Sequence, residues 1–121
     1  MRTVLLMVAV WLTAAVSAHA QDPIKVDPKH YKVEFENEQV RVLRVSYAPG
    51  EKSVMHEHPA NVAVFLTDGR GKFTLPDGKS EEVPIKAGTT RAGGAEKHQP
   101  ENVGDKPFEL VLVELKAGHG H

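Results

Sequence analysis

Two histidines, His56 and His58, stand one residue apart at the start of the stretch MHEHPANVAVFLTDG. Side chains alternate between the two faces of a β-strand, so both imidazoles would point the same way, with Cα atoms about 7 Å apart. Two imidazoles placed like this can bind one cation at nitrogen–metal distances of about 2.0–2.1 Å. A third histidine, His98, precedes the last apolar run, where antiparallel pairing could bring it beside the first two. The spacing therefore predicts a three-histidine metal site.

The segments that must position these histidines are short β-type runs separated by glycine, proline and Asp-Gly turns. VRVLRVSY (Val40 to Tyr47) is rich in β-branched residues and ends at Ala-Pro-Gly. FELVLVELK (Phe108 to Lys116) carries apolar residues on both faces, which indicates a strand buried on both sides. Runs of this length without a long amphipathic helix between them are typical of an all-β sandwich or barrel.

The first twenty residues have the pattern of a cleaved secretory signal. Arg2 provides a positive charge, Val4 to Val16 form a thirteen-residue apolar run, and Ala18-His19-Ala20 matches a signal peptidase site. A membrane span needs about 20 apolar residues, so this run is too short to be an anchor. We therefore predict an exported protein, periplasmic or extracellular, whose mature chain begins at Gln21 and has no membrane contact after cleavage.

The composition of the mature chain excludes several classes of partner. Without residues 1–20 the chain has 14 basic and 16 acidic residues, a formal charge of −2 with neutral histidines. There is no basic patch for nucleic acid and no polybasic stretch for anionic lipid. The chain also has no cysteine, so a metal site must use nitrogen and oxygen ligands and the fold must rely on its apolar core.

The sequence resembles a known family, the cupins. The first cupin motif has the form G-x5-H-x-H-x3–4-E-x6-G, and GEKSVMHEHPANVAVFLTDG follows that spacing from Gly50 through the two histidines to Gly69. The second motif ends in H-x3-N, which HQPEN supplies at His98 and Asn102. The resemblance implies a small jelly-roll β-barrel with its site inside the barrel.

The signal pattern and the resemblance together give an expected domain layout. Residues 1–20 are the signal peptide, 21–39 an N-terminal extension or strand, 40–116 the cupin barrel, and 117–121 a flexible tail. The extension is expected to pack across the barrel, or across a partner's barrel in a homodimer of the kind that cupins form. Asn102 is expected to make structural hydrogen bonds before the last strand, and His30 to be exposed.

The resemblance is incomplete at Val62, where the family motif has a glutamate. Alternation along one continuous strand places Val62 on the same face as His56 and His58, with Glu57 on the opposite face. The expected ligand set is therefore three neutral imidazoles and no carboxylate. This set leaves the double charge of a divalent metal uncompensated, so the bound ion should be a stronger Lewis acid and favour an anionic ligand.

Three hypotheses of function remain open. The first is an exported binding protein that holds a divalent transition metal (Fe, Zn, Ni, Cu or Mn) and, through it, a small-molecule ligand. The second is a metal-dependent, dioxygenase-like enzyme acting on a small anionic substrate, with catalytic residues that the sequence does not identify. The third is a metal-free barrel with a ligand-binding or structural role. Imidazole nitrogen suits several metals, so the sequence does not choose among them.

Overall fold

A computed structural model of the protein describes residues 21–117. The predicted signal peptide and residues 118–121 of the predicted tail lie outside this range. The described elements, in chain order, are α1 (Pro23–Val26), β1 (Tyr31–Glu36), β2 (Val40–Tyr47), β3 (His56–His58), β4 (Asn61–Phe65), β5 (Gly69–Thr74), β6 (Ser80–Ile85), β7 (Thr90–Gly93), β8 (Glu96–Asn102) and β9 (Phe108–Leu115). No helix within this range is long and apolar enough to cross a bilayer.

The strands form two antiparallel sheets that pack face to face. One sheet has the order β1-β2-β9-β4-β7, and the other has the order β3-β8-β5-β6. Apart from the consecutive pairs β1-β2 and β5-β6, neighbouring strands are distant in sequence, as in a jelly roll, where the chain passes repeatedly from one sheet to the other. The predicted all-β jelly-roll fold is confirmed.

The apolar core lies between the two sheets and is formed by the inward faces of β1, β2, β4, β6 and β9. Its buried members are Tyr31, Leu43, Val45, Tyr47, Ala63, Ile85, Phe108 and Leu112. The hydroxyl groups of Tyr31 and Tyr47 lie 2.8 Å apart, so the two phenols satisfy each other inside the core. The prediction that β9 is buried on both sides is wrong, because Val111 and Val113 on its outer face are only half-buried.

The N-terminal extension is integrated into the first sheet. Strand β1 pairs along β2, with Tyr31 opposite Val45, and forms the edge of the five-stranded sheet. Helix α1 precedes it and packs against both β1 and β3. Asp22 caps the first turn of α1 by accepting a hydrogen bond from the N–H of Ile24 at 3.0 Å. The N-terminal extension therefore lies directly beside the strand that carries His56 and His58.

We expect a glycine at the start of β5 to be required by close packing. An added Cβ at Gly69 would lie 2.9 Å from the Cβ of Phe108, which is buried in the core. Gly69→Ala should therefore lower the free energy of unfolding by about 1–3 kcal/mol. Gly93→Ala is the matched strand control, since nothing lies within 4 Å of its added Cβ, and it should change stability by no more than about 0.5 kcal/mol. Urea unfolding measures both, and equal losses would contradict this reading of the packing.

Candidate metal centre

The structure brings the three predicted histidines together on one two-stranded ladder. His56 is directly opposite His98 in the antiparallel pairing of β3 with β8, and His58 lies two residues along on the same face. All three are buried, with exposed fractions of 0% for His56, 2% for His58 and 9% for His98. One ring nitrogen from each residue lies within 4.8 Å of the other two. The ladder therefore assembles the predicted trio without any contribution from a loop.

The outer ring nitrogens of His56 and His58 have partners that fix their tautomers. Nδ1 of His56 lies 2.9 Å from the carbonyl oxygen of Val54, which can only accept, so this nitrogen carries the hydrogen. Nδ1 of His58 lies 2.7 Å from a carboxylate oxygen of Glu114 and donates to it. In the neutral rings both Nε2 atoms are then bare lone pairs, and they lie 3.0 Å apart. Two lone pairs at this distance repel each other unless a proton or a cation lies between them.

An unpartnered nitrogen of His98 is a second indication, after the facing lone pairs of His56 and His58, that this cluster can hold a cation. Its Nε2 is buried and has no hydrogen-bond partner among residues 21–117. A buried polar atom without a partner is unusual in a folded protein and costs free energy. Three converging imidazoles with two fixed tautomers and one unpartnered nitrogen fit a divalent transition metal, because neutral imidazole is a preferred ligand of Zn, Cu, Fe and Ni.

Burial keeps two of the three rings neutral at physiological pH. Desolvation, together with the neighbouring His58 ring, lowers the pKa of His56 from 6.5 to about 4. Desolvation also lowers the pKa of His98 to about 3, and His58, His56 and Arg91 contribute in the same direction. A metal ion at pH 7 would therefore not have to displace protons from these two ligands.

A buried acid at the site was missed from the sequence. Glu114 on β9 is 3% exposed, and it accepts from His58 through one oxygen and from Nε of Arg41, at 2.9 Å, through the other. The signal was present, since Glu114 continues the inward-facing series of Phe108 and Leu112 at the strand period of two. Glu114 is not a member of the ligand group itself. Its carboxylate lies behind His58, where it orients the ring and makes its other nitrogen a better donor.

The predicted orientation of Val62 is wrong. Strand β3 ends at His58 and β4 begins at Asn61, so the chain turns at Pro59 and Ala60 and the alternation restarts there. Asn61 and Ala63 line the interior, whereas Val62 does not. Val62 pairs with Val113 on the outer surface of the sheet. That the three histidines bind a metal without a carboxylate ligand stays a prediction.

A cavity of about 290 Å³ adjoins the histidines between the two sheets. Its wall is mainly apolar and includes Val45, Phe65, Phe73, Ile85, Phe108 and Leu112, with His58 and His98 also lining it. Four exposed charged residues complete the lining, namely Lys79, Glu81, Arg91 and Glu96. Arg91 forms no ion pair within the described part of the chain. The site therefore combines a buried nitrogen cluster with an apolar chamber that reaches charged surface.

Two further predictions about polar residues had opposite outcomes. Asn102 makes the expected structural bonds, donating to the carbonyls of Tyr47 and Lys106 and accepting from the N–H of Gly104. His30 was expected to be exposed, but it is buried and lies between two carboxylates. Its ring stacks on Tyr47 and contacts Glu51, twenty-one residues away, and alternation within one strand does not reveal such contacts.

Comparison with known proteins gives relatives of the same architecture. The family model described as "Cupin domain" matches residues 43–114. A cupin domain from Bordetella pertussis Tohama I is 28% identical, with a TM-score of 0.67 over 72% of this chain and 92% of that one. A Cupin 2 conserved barrel domain protein from Salinispora arenicola is 20% identical, with a TM-score of 0.57 over 76% and 80% of the two chains. No curated protein matches the chain.

We expect the buried histidines to make the metal-free protein acid-sensitive. Because the folded-state pKa values of His56 and His98 lie below 6.5, the unfolded chain binds more protons as the pH falls through 6.5. The free energy of unfolding should then decrease by about 3 kcal/mol per histidine between pH 6.5 and pH 4. Urea titrations of chelator-treated protein at several pH values measure this, with His98→Asn as the comparison. An equally steep pH dependence in that variant would contradict the assignment.

The effect of Glu114 on the orientation of the His58 ring can be distinguished from the effect of its negative charge alone. Glu114→Gln removes the charged acceptor for His58 while keeping the size of the side chain, and should weaken metal affinity about 10- to 100-fold. Glu109→Gln on the same strand is the control, because Glu109 is half-exposed and faces Arg44 on the outer surface. Competition of each variant with a coloured chelator for Zn²⁺ gives the affinities. A similar loss in both variants would assign the effect to net charge instead of ring orientation.

Proposed function

The chain belongs to the cupin domain family, and on that premise we propose that it holds a divalent transition metal on His56, His58 and His98 and binds a small molecule in the adjoining cavity. The observation that supports this most directly is the convergence of three buried ring nitrogens. In His56 and His58, Nδ1 has a partner and Nε2 is left free. In His98, Nε2 has no hydrogen-bond partner among residues 21–117. When bound, such a metal would supply Lewis-acid character beside the cavity.

The chain's own residues define what kind of ligand the cavity accepts. Its volume lies at the lower end of the range for small-molecule pockets, and its lining is largely aliphatic and aromatic. The three imidazoles bring no negative charge to a divalent metal, and Arg91, whose charge contributes to the lowered pKa of His98, adds positive charge beside them. These features favour a small, mainly apolar molecule with one anionic group, such as a carboxylate, that faces the metal.

Binding without turnover is the function that the geometry supports best. A dioxygenase-like reaction, the alternative, would need a side chain that moves a proton near the metal. Tyr31 and Tyr47 line the cavity, but their hydroxyl groups are bonded to each other and burial raises the pKa of both, so neither is a base at neutral pH. Export to the periplasm or beyond, and assembly as a homodimer, stay predictions from the sequence.

Metal content of the untagged mature protein tests the proposal. After chelator treatment and titration with Co²⁺, we expect one equivalent to bind and to produce a visible absorption band. His56→Ala should lose this equivalent, whereas the double variant His119→Gln/His121→Gln should keep it, which excludes binding by the tail. Failure of Co²⁺, Fe²⁺, Zn²⁺, Ni²⁺ and Cu²⁺ to bind the wild type would overturn the proposal.

The same cobalt-loaded protein reports on the ligand class. Benzoate, as a small apolar carboxylate, should change the visible spectrum at lower concentration than benzyl alcohol, its uncharged counterpart. Arg91→Gln should raise the benzoate concentration required, and Arg70→Gln, on an exposed arginine paired with Glu82, should not. Equal responses to the acid and the alcohol would argue against an anion-binding chamber.

A further inference from the structure

We propose that the segment 22–30, which precedes the residues matched by the cupin family model, positions two of the three metal ligands. Asp27 orients His56 through Ser53, and Asp22 orients His58 through Arg41 and Glu114. This inference rests on the proposed metal function, because it assigns supporting residues to the same centre. It gives the N-terminal extension a role in the site beyond pairing with the sheet.

The connection to His56 passes through one buried hydroxyl. The Ser53 side chain, 4% exposed, donates its single hydrogen to Oδ2 of Asp27. Its lone pairs then face Nδ1 of His56, at 3.2 Å, and accept from the same N–H that bonds to the Val54 carbonyl. Because Ser53 has only one hydrogen, the Asp27 carboxylate determines which way the hydroxyl points, and so ensures that Ser53 accepts from His56.

Asp27 is itself held firmly. Nδ1 of His30 lies 2.9 Å and 2.8 Å from the two carboxylate oxygens of Asp27, and the His30 ring stacks on Tyr47 at 4.2 Å between centroids. Nε2 of His30 lies 3.1 Å from Glu51. Hydrogen bonds from Lys29 and from the N–H of Ala48 lower the pKa of Glu51 to about 2, so this acid stays charged. His30, a residue outside the ligand set, thus fixes the carboxylate behind His56.

Asp22 is connected to His58 through Arg41 and Glu114, so the three side chains before His58 alternate in charge. Arg41 bonds to both oxygens of Asp22, at 2.9 Å and 2.8 Å, and donates through Nε to the Glu114 carboxylate that accepts from His58. Burial opposes ionisation of Asp22, but the hydrogen bonds from Arg41 and from the N–H of Ile24 outweigh it and lower its pKa. A bidentate arginine–carboxylate pair has little freedom, so Arg41 holds Glu114 in a fixed position.

One short element provides both acids. Asp22 is the N-cap and Asp27 the C-cap of α1, so a single four-residue helix sets the separation of the two carboxylates. This helix packs against β3, the strand that carries both histidines. Docking of α1 on β3 therefore orients the two rings in one step. Partners of this kind typically change metal affinity 10- to 100-fold when they are removed.

The test compares Ser53→Ala and Asp22→Asn with Glu34→Gln. Glu34 lies on the same N-terminal extension and makes an ion pair of 3.4 Å with Arg44 at the surface, apart from the contacts that reach the histidines. We expect both site variants to raise the dissociation constant for Co²⁺ about 10-fold and to change the visible spectrum of the cobalt-loaded protein. The control should match the wild type in both measurements.

A second readout needs no metal. Two-dimensional ¹H–¹⁵N spectra of the imidazole rings in the metal-free protein report which nitrogen carries the hydrogen and how strongly it is bonded. Ser53→Ala should shift the Nδ1 signal of His56, Asp22→Asn the Nδ1 signal of His58, and each should leave the other ring unchanged. This readout also distinguishes the two proposals, because it works even if the wild type binds no cobalt.

The inference fails if Ser53→Ala and Asp22→Asn bind Co²⁺ within twofold of the wild type and leave both Nδ1 signals in place. It also fails if the variants lose thermal stability and metal affinity while both imidazole signals stay unchanged, since that pattern describes a structural role alone. Absence of cobalt binding by the wild type, with the ring-specific shifts present, would overturn the proposed function and leave the positioning contacts established.

Discussion

The centre depends on one pairing, that of His56 with His98 across the ladder between β3 and β8. Because side chains repeat every two residues, this register also places His58 on the same face, so a single alignment of two strands assembles all three ligands. A slip by one residue would turn one strand's side chains to the other face and separate the trio. The backbone bonds that continue the ladder, from Gly50 and Ser53 to the β8 carbonyls, therefore fix the site as well as the sheet.

Placing three imidazoles in a buried space is unfavourable unless each outer nitrogen has a partner. The protein meets this requirement for His56 and His58 with a backbone carbonyl, a hydroxyl and a carboxylate, whereas Nε2 of His98, one of the converging nitrogens, has no partner among residues 21–117. Negative charge lies behind the rings instead of among the ligands. Burial keeps His56 and His98 neutral, while Glu114 and Asp27 would compensate part of a cation's charge from a distance.

The sequence predicted the features that follow from local periodicity. The all-β fold and the three histidines could be read from short runs, turn residues and the spacing of His56, His58 and His98. The orientation of Val62 could not, because the turn at Pro59 restarts the alternation and the count along one strand no longer applies. The burial of His30 was not foreseen either, since it arises from contacts between α1, Glu51 and Tyr47 that no single element contains. Glu114 was visible in the β9 pattern, but its role required the opposite sheet.

The ladder between β3 and β8 also indicates which part of the histidine cluster could be transferred to another protein. A His-x-His strand opposite a single histidine is a self-contained unit of two strands, and such a unit could be grafted onto an unrelated antiparallel hairpin. Glu114 and Asp27 would not come with it, because they belong to the facing sheet and to α1. A grafted ladder would thus reproduce the three histidines without the partners that orient their rings. The two strands supply the imidazoles, while their orientation is a property of the surrounding barrel.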